Sequence, residues 1–420
     1  MEKNFVITNT YIVRAPNVSQ AKNLVFEGTG KGNILDEELD VTEISEEEIL
    51  DYINEKDTSY SQSSVIPIDQ MDQSDGLDSN QSALSSTVFD ARNDFLRSEN
   101  KRLAKLVEKH KNLQHETVVA AYQAAFDVFS NFEIPKIKQP NLKNNKIKVS
   151  ETAIAVFSDW QLGKVTADYN SDVLEKRIEQ YTEKLLEITE IQRMDHNVDD
   201  LHVWLLGDIV EGEEIFSGQA HLIDSGLYRQ VGINGPRILS KFFVTALQNF
   251  KTVHVIGVIG NHGAVGGKTK KQYDPETNMD RLLYKIMDHM FEKEERITFN
   301  IPDGVGERSW YAVDSIGNYS SLLVHGDQLP SPANYHGYFR KVMGWKDGAI
   351  PESFDDIFMG HYHQQFKITI GTTMLRISGS PESHNTYAQE FFSSMSRPCQ
   401  HLMYVHQENG ITSEYSIWLD

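Results

Sequence analysis

The sequence predicts an α/β fold in which buried strands alternate with helices and deliver polar groups to one rim. Three observations carry this expectation. Five short apolar runs recur between residues 152 and 363, and continuous rather than alternating runs suit strands covered on both faces. Helical stretches separate several of them: Val173 to Arg193, Pro236 to Phe250 and Met279 to Glu294. Each run also hands over to polar residues of one kind. AIAVFSD ends at Asp159, HVWLLGD at Asp208, and VHVIGVIGNH at Asn261 and His262; SLLVHGD delivers His325, and DIFMGHYH delivers His361 and His363. Open α/β sheets place their sites just past the carboxyl ends of strands. The pattern therefore puts these residues, with Gln161, on one rim.

Upstream of the runs the chain changes character three times. Residues 1–56 read as a small α+β module: a strand over residues 5–13, a helix from Ser19 to Val25, a strand from Val41 to Ile44, then the acidic helical stretch EISEEEILDYINEK. Residues 57–87 are Ser, Gln, Asp and Asn with few apolar side chains, the composition of a linker. Residues 88–148 hold a long helical stretch to about residue 132 and then a basic linker, PKIKQPNLKNNKIK. Leu96, Leu103, Leu106 and Leu113 keep partial heptad spacing. That spacing fits either a coiled coil, which would make a homodimer, or one amphipathic helix packed on its own domain. The basic stretch reads as a solvated linker, with a phosphate-touching strap as the alternative. Residues 149–420 form the domain that carries the rim.

Charge and cysteine usage bound the function. Of the net charge of −21, the first 90 residues carry −13, with 18 acidic and 5 basic side chains. Most of the acidity that would repel nucleic acid thus lies outside the rim-bearing region. Cys399 is the only cysteine, which excludes an internal disulfide and suits a reducing, cytoplasmic compartment. Apolar runs long enough to span a membrane are absent, and the first residues lack the pattern of a secretion signal, so no membrane association is expected.

Carboxylate, imidazole and amide oxygen together make a harder donor set than a Cys/His site and suit Mn²⁺, Fe or Zn²⁺. With no cysteine taking part, a structural zinc finger is excluded. The candidate donors are too many for one ion and fit two ions sharing a carboxylate. Such a pair can activate a water and stabilise the leaving oxygen of an in-line phosphoryl displacement. Taken singly, Asp208 reads rather as a turn residue and His325 as a satisfied surface histidine; the ordered set of five blocks favours the ligand reading. His202, His254, His289 and His401 fall inside elements or away from the blocks and read as structural. His221, His336 and His384 lie in loops of the same half and stay open as substrate contacts.

SDWQLGK, LLGDIVEG, IGNHG, VHGD and GHYH, in that order, resemble the five signature blocks of the calcineurin-like metallophosphoesterases. The resemblance runs from about Ala153 to His363, roughly half the chain. It implies a βαββ-type two-sheet sandwich flanked by helices. It also implies that Asp159 and His363 bind a first metal, that Asp208 bridges, and that Asn261, His325 and His361 bind a second. His262 would not ligate but would stabilise the transition state or protonate the leaving group, work that a pKa near 6.5 suits. Gln161 stands where the family has a histidine, so the first metal would be looser, or Mn²⁺ or Mg²⁺ preferred. Gly263 stands where many relatives have an acid. Both departures resemble phage-encoded SbcD-like exonucleases and argue against a protein Ser/Thr phosphatase.

Substrate class must come from the surroundings of the rim. Gly266, Gly267, Lys268, Lys270 and Lys271 read as a clamp on a polyanionic backbone or as a solvated loop. Arg340, Lys341, Trp345 and Lys346 mix cations with an aromatic able to stack on a base, and Tyr335, His336, Tyr338 and Phe339 add to that surface. The expected function is a two-metal phosphodiesterase, a DNA exonuclease (DNA before RNA) that uses hydroxide held by manganese, with magnesium, iron or zinc as other occupants. A phosphatase or cyclic-nucleotide phosphodiesterase on the same fold, and a scaffold protein with a degenerate metal site, are the alternatives. The four later strand-like runs, FKITI, TMLRISGS, HLMYVHQ and EYSIWL, are expected to complete the second sheet, and Pro381 to Ser394 to reach the rim.

Overall fold

The structure is a computed structural model. It describes residues 134–143, 148–213, 215–216, 218–265, 275–302, 310–329, 335–383 and 397–420, with the backbone of three strands near the start of the chain. The positions of Lys101, Arg102, Lys105, Val119 and Gln123 are helical. The expected helix from Ser19 to Val25, the acidic helical stretch, the 57–87 linker, the heptad leucines, Gly266 to Lys271 and His384 lie outside the described residues.

Two compact units divide at Arg92 and Asn93. In the first, β1 (Lys3–Ile7) pairs antiparallel with both β2 (Tyr11–Ala15) and β3 (Val41–Ile44). The single strand expected over residues 5–13 is therefore a hairpin.

The second unit contains two stacked sheets. The six-stranded sheet has the order β14-β13-β4-β5-β6-β7. Its parallel strands are β4 (Ser150–Phe157), β5 (Asn197–Leu205), β6 (Thr252–Gly257) and β7 (Ile297–Asn300). The five-stranded sheet has the order β11-β12-β10-β9-β8. It is made of β8 (Tyr311–Ile316), β9 (Tyr319–Val324), β10 (Asp356–Met359), β11 (Phe366–Ile370) and β12 (Thr373–Ile377). The fold is thus mixed α/β, two sheets flanked by helices. One expectation is corrected. Only FKITI and TMLRISGS join the second sheet; β13 (Cys399–His406) and β14 (Gly410–Trp418) return to the first, antiparallel, beside β4.

The burial pattern explains why the strands read as unbroken apolar runs. On β4, Ala153, Ala155 and Phe157 face helices α1 (Ser171–Gln192), α2 (Gly235–Asn249) and α3 (Met279–Met290), while Ile154 and Val156 face the other sheet. On β10, Phe358 fills the inter-sheet layer, and Ile357 and Met359 face α4 (Tyr335–Gly344). Alternate side chains enter different cores, and both cores are apolar.

Helix α1 shows how local chemistry sets the boundaries. Asn170 caps it by accepting from the Val173 amide at 2.9 Å. Leu174, Ile178, Tyr181 and Leu185 form its buried stripe. The Lys148 ammonium closes the other end by donating to the carbonyls of Arg193 and Met194 at 2.8 and 2.5 Å. The basic linker is accordingly not wholly solvated, since Ile137 also packs against the main core, as does Ile134 just before it. Among the described residues, no helix is long and apolar enough to cross a membrane.

Candidate metal centre

The loops after β4, β5, β6, β9 and β10 converge at one end of the two sheets. Among the described residues, five non-glycine residues have left-handed backbone: Asp159, Gln161, Asp208, His361 and His363, with φ of 53°, 48°, 52°, 71° and 56°. All five are expected ligands. This conformation is costly for residues with a Cβ and persists where the surroundings over-determine it, as functional sites do.

Backbone bonds continue the β4–β5 pairing into the loops: Asp159 N donates to Gly207 O at 3.1 Å and Gln161 N to Asp208 O at 3.0 Å. The Asp280 carboxylate at the start of α3 staples the neighbouring loop. It accepts from the amides of Asp208 (2.9 Å), Ile209 (3.0 Å), Val210 (3.1 Å) and Gly260 (2.9 Å). Gly260 has to be glycine, because a Cβ there would run into the Asp208 backbone and its Oδ1. Gly263 has a similar reason: a Cβ would lie 2.5 Å from Asn278 Oδ1, the cap of α3.

Two donor groups share one oxygen. His325 Nε2 lies 3.1 Å from Asp208 Oδ2 and 3.2 Å from Asn261 Oδ1, and His361 Nδ1 lies 3.2 Å from His325 Nε2. Asp208, His325 and His361 offer ligand atoms all within 4.8 Å of one another. On the other side, Gln161 Nε2 lies 3.3 Å from Asp208 Oδ2 and 3.4 Å from His363 Nε2, which is 3.4 Å from Asp159 Oδ1. Potential ligand atoms converge here around one buried carboxylate oxygen, and once the imidazoles give up their protons the lone pairs suit a cation. Gln161 gives a second indication: its Oε1 is buried without a hydrogen-bond partner. Turning the amide over would aim that oxygen at Asp208 and His363. The residues present fit a divalent cation.

The ring orientations agree. A carbonyl only accepts, so the contact of His325 Nδ1 with Leu206 O at 2.8 Å puts the hydrogen on Nδ1 and leaves Nε2 for a cation. Glu382 does the same for His363, with 2.8 Å from Nδ1 to Oε2. For His262, Nδ1 faces Glu211 O at 2.9 Å, and Nε2 turns towards Asp208 Oδ2, 4.0 Å away.

Electrostatics follow from burial and charge. Burial opposes a proton on His325, but the Asp208 carboxylate overcomes it and pushes the pKa up to about 10. His363 is likewise held at about 10 against burial by Asp159 and Glu382, and His262 at about 9 by Asp208 and Glu211. His361 moves the other way, to about 3, through burial and the charge of His325. Burial would raise Asp208, yet His325 and His262 hold its carboxyl well below the usual range.

The structure brings together Asp159, Gln161, Asp208, Asn261, His262, His325, His361 and His363. The expected substrate contacts fare differently. Trp345 is buried, 4% exposed, in the core behind the second sheet with Trp310 at 5.7 Å, and Tyr338 is buried beside it. Neither can stack on a base. Tyr338, Val342 and Trp345 follow i, i+4, i+7 spacing, so the inward face was present in the sequence. Arg340 and Lys341 are exposed on the same helix. Lys268, Lys270 and Lys271 lie outside the described residues. His202 and His254 stack at 4.9 Å between strands and His401 is buried in β13, all structural. Sequence reasoning gave no role to Glu382, Lys164, Glu211 and Asp280; Lys164 and Glu211 lie inside two of the blocks, but all four act only through their neighbours.

No family model matches the chain, and no curated protein matches it. Among solved structures, a Vps29 single mutant from Entamoeba histolytica is 11% identical, with 63% of this chain and 98% of that chain covered and a TM-score of 0.28. A Streptococcus pneumoniae TIGR4 protein described as a predicted phosphoesterase is 13% identical, with 64% and 98% covered and a TM-score of 0.25. An archaeal phosphodiesterase is 13% identical, with 63% and 99% covered and a TM-score of 0.30. Likenesses this remote leave the function to be read from the chain's own residues.

Proposed function

We propose that this chain is a two-metal phosphodiesterase of the calcineurin-like type that cleaves nucleic acid, DNA before RNA, in the cytoplasm. One observation carries the reading: two donor groups share Asp208 Oδ2, and five of their residues are held in left-handed backbone. When bound, the metals, manganese by preference, would polarise the phosphoryl oxygens and make a water acidic enough to attack at neutral pH.

The chain's own residues divide the remaining work. Asp159, Gln161 and His363 would hold one ion, Asn261, His325 and His361 the other, with Asp208 between them. His262 ligates neither: Glu211 fixes its Nδ1, and its Nε2 holds a proton at the rim for the departing oxygen. The substrate class rests on Arg340, exposed on α4, and on Lys268, Lys270 and Lys271, which follow His262 closely in the sequence.

The test is the purified chain with Mn²⁺ on single- and double-stranded DNA, RNA and a generic phosphodiester, with Asp208→Ala as the blank. Metal-dependent cleavage of DNA supports the proposal. Turnover of only small phosphoesters would replace the substrate class. Metal binding without turnover of any substrate would favour a scaffold role.

A further inference from the structure

We infer that Glu382, clamped by Lys164, is the positioning residue of the first metal position, holding His363 there and leaving the second position untouched. The inference rests on the two-metal reading above.

Glu382 is buried, with 2% of its side chain exposed. Its two oxygens are divided between two partners. Oε2 lies 2.8 Å from His363 Nδ1, and Oε1 lies 2.7 Å from Lys164 Nζ. A buried carboxylate next to a neutral ligand would be costly alone, and the ammonium of Lys164 offsets that cost. Because a carboxylate only accepts, the hydrogen of the neutral imidazole sits on Nδ1. The lone pair of Nε2 then faces Asp159 and Gln161, and the negative charge behind the ring makes it more basic.

The strap that carries Glu382 follows β12 and is tied to the first-metal loop and to α1. Ser380 Oγ donates to Asp159 O at 2.6 Å and accepts from the Glu382 amide at 2.9 Å. Arg177 on α1 donates to Pro381 O at 2.6 Å and to Ser383 Oγ at 2.9 Å. Thr166 Oγ1 donates to Ser383 O at 2.8 Å. Lys164 itself lies three residues beyond Gln161, in the loop that supplies two first-position donors.

The second position is backed differently. There, His325 leans on a neutral backbone carbonyl, Leu206 O, at 2.8 Å. The carboxylate backing therefore falls on the side where Gln161 supplies a neutral amide in place of a stronger donor. Glu382 makes up at His363 for what Gln161 lacks.

Mn²⁺ titration of the metal-free full chain tests this, followed by calorimetry and by electron paramagnetic resonance. The wild type should take up two ions and give the spectrum of an exchange-coupled pair. Glu382→Gln should bind one ion with unchanged affinity and the other roughly 10- to 100-fold more weakly. At one equivalent its spectrum should be that of an isolated ion, and Glu382→Asp should recover part of the loss. Lys164→Met should weaken the same ion alone, and it decides the matter if Glu382→Gln does not fold. Two ions bound by Glu382→Gln as in wild type would overturn the inference and leave the metal centre standing. An equal loss of both ions, with a lower melting temperature of the metal-free protein, would also overturn it. A wild type that binds no Mn²⁺ would instead remove the two-metal reading itself.

Discussion

Proton release on metal uptake is the sharpest consequence of the electrostatics. In the metal-free centre, His325 and His363 both have pKa values of about 10, raised by buried carboxylates. At pH 7 both imidazoles are therefore protonated in the metal-free centre. His361, at about 3, holds no proton, and Asp208 and Glu382 are ionised. To ligate, each imidazole must present a bare nitrogen. Filling the centre should therefore release about two protons per chain, one from His325 and one from His363. The sign follows: a ligand pKa raised above neutrality weakens binding as pH falls. Each ion's affinity should rise about tenfold per unit between pH 7 and 9, or about 1.4 kcal/mol per unit. Calorimetry of Mn²⁺ binding at pH 7 in buffers of different ionisation heat counts the protons directly. His325→Ala should reduce the count by about one. No proton release, with affinity flat from pH 7 to 9, would refute both the ligand assignment and the charge coupling to Asp208.

Three further outcomes are expected. His262→Ala should lower kcat by about 10²- to 10⁴-fold, the usual contribution of a positioned general acid. Calorimetry should find its two Mn²⁺ affinities nearly unchanged; loss of both together would contradict the role given to it. Gly260→Ala should cut Mn²⁺ affinity at least about tenfold, because the new Cβ meets the backbone and Oδ1 of Asp208 and neither can move away cheaply. Wild-type binding would show that the Asp208 loop gives way. Trp345→Ala should cost about 3–5 kcal/mol in chemical denaturation while leaving KM for DNA unaltered. A raised KM with unchanged stability would return Trp345 to the surface.

The helices and most strands were legible because their signals are local. The expected helices Val173 to Arg193 and Pro236 to Phe250 differ from the observed ones by one or two residues at each end, and the third stops at Met290, four residues early. The sheet assignment of the last strands was not legible. HLMYVHQ and EYSIWL look like FKITI in composition, and only the pairing partner distinguishes them. Trp345 was misread for another reason: its neighbours Arg340, Lys341 and Lys346 suggested a surface, whereas its helical spacing with Tyr338 and Val342 pointed inward.

By itself, the sequence determined the α/β class and the order in which polar residues leave the strands, since both follow from periodicity and from residues adjacent in the chain. It also named the eight residues now found at one rim. The resemblance implied a division into two groups around Asp208; only the tertiary structure decided which atoms approach Asp208 Oδ2, because that depends on loops from two stacked sheets converging at one end. The same is true of Glu382, Lys164, Glu211 and Asp280. Each acts across a gap of tens or hundreds of residues, on a partner that no local pattern could have identified.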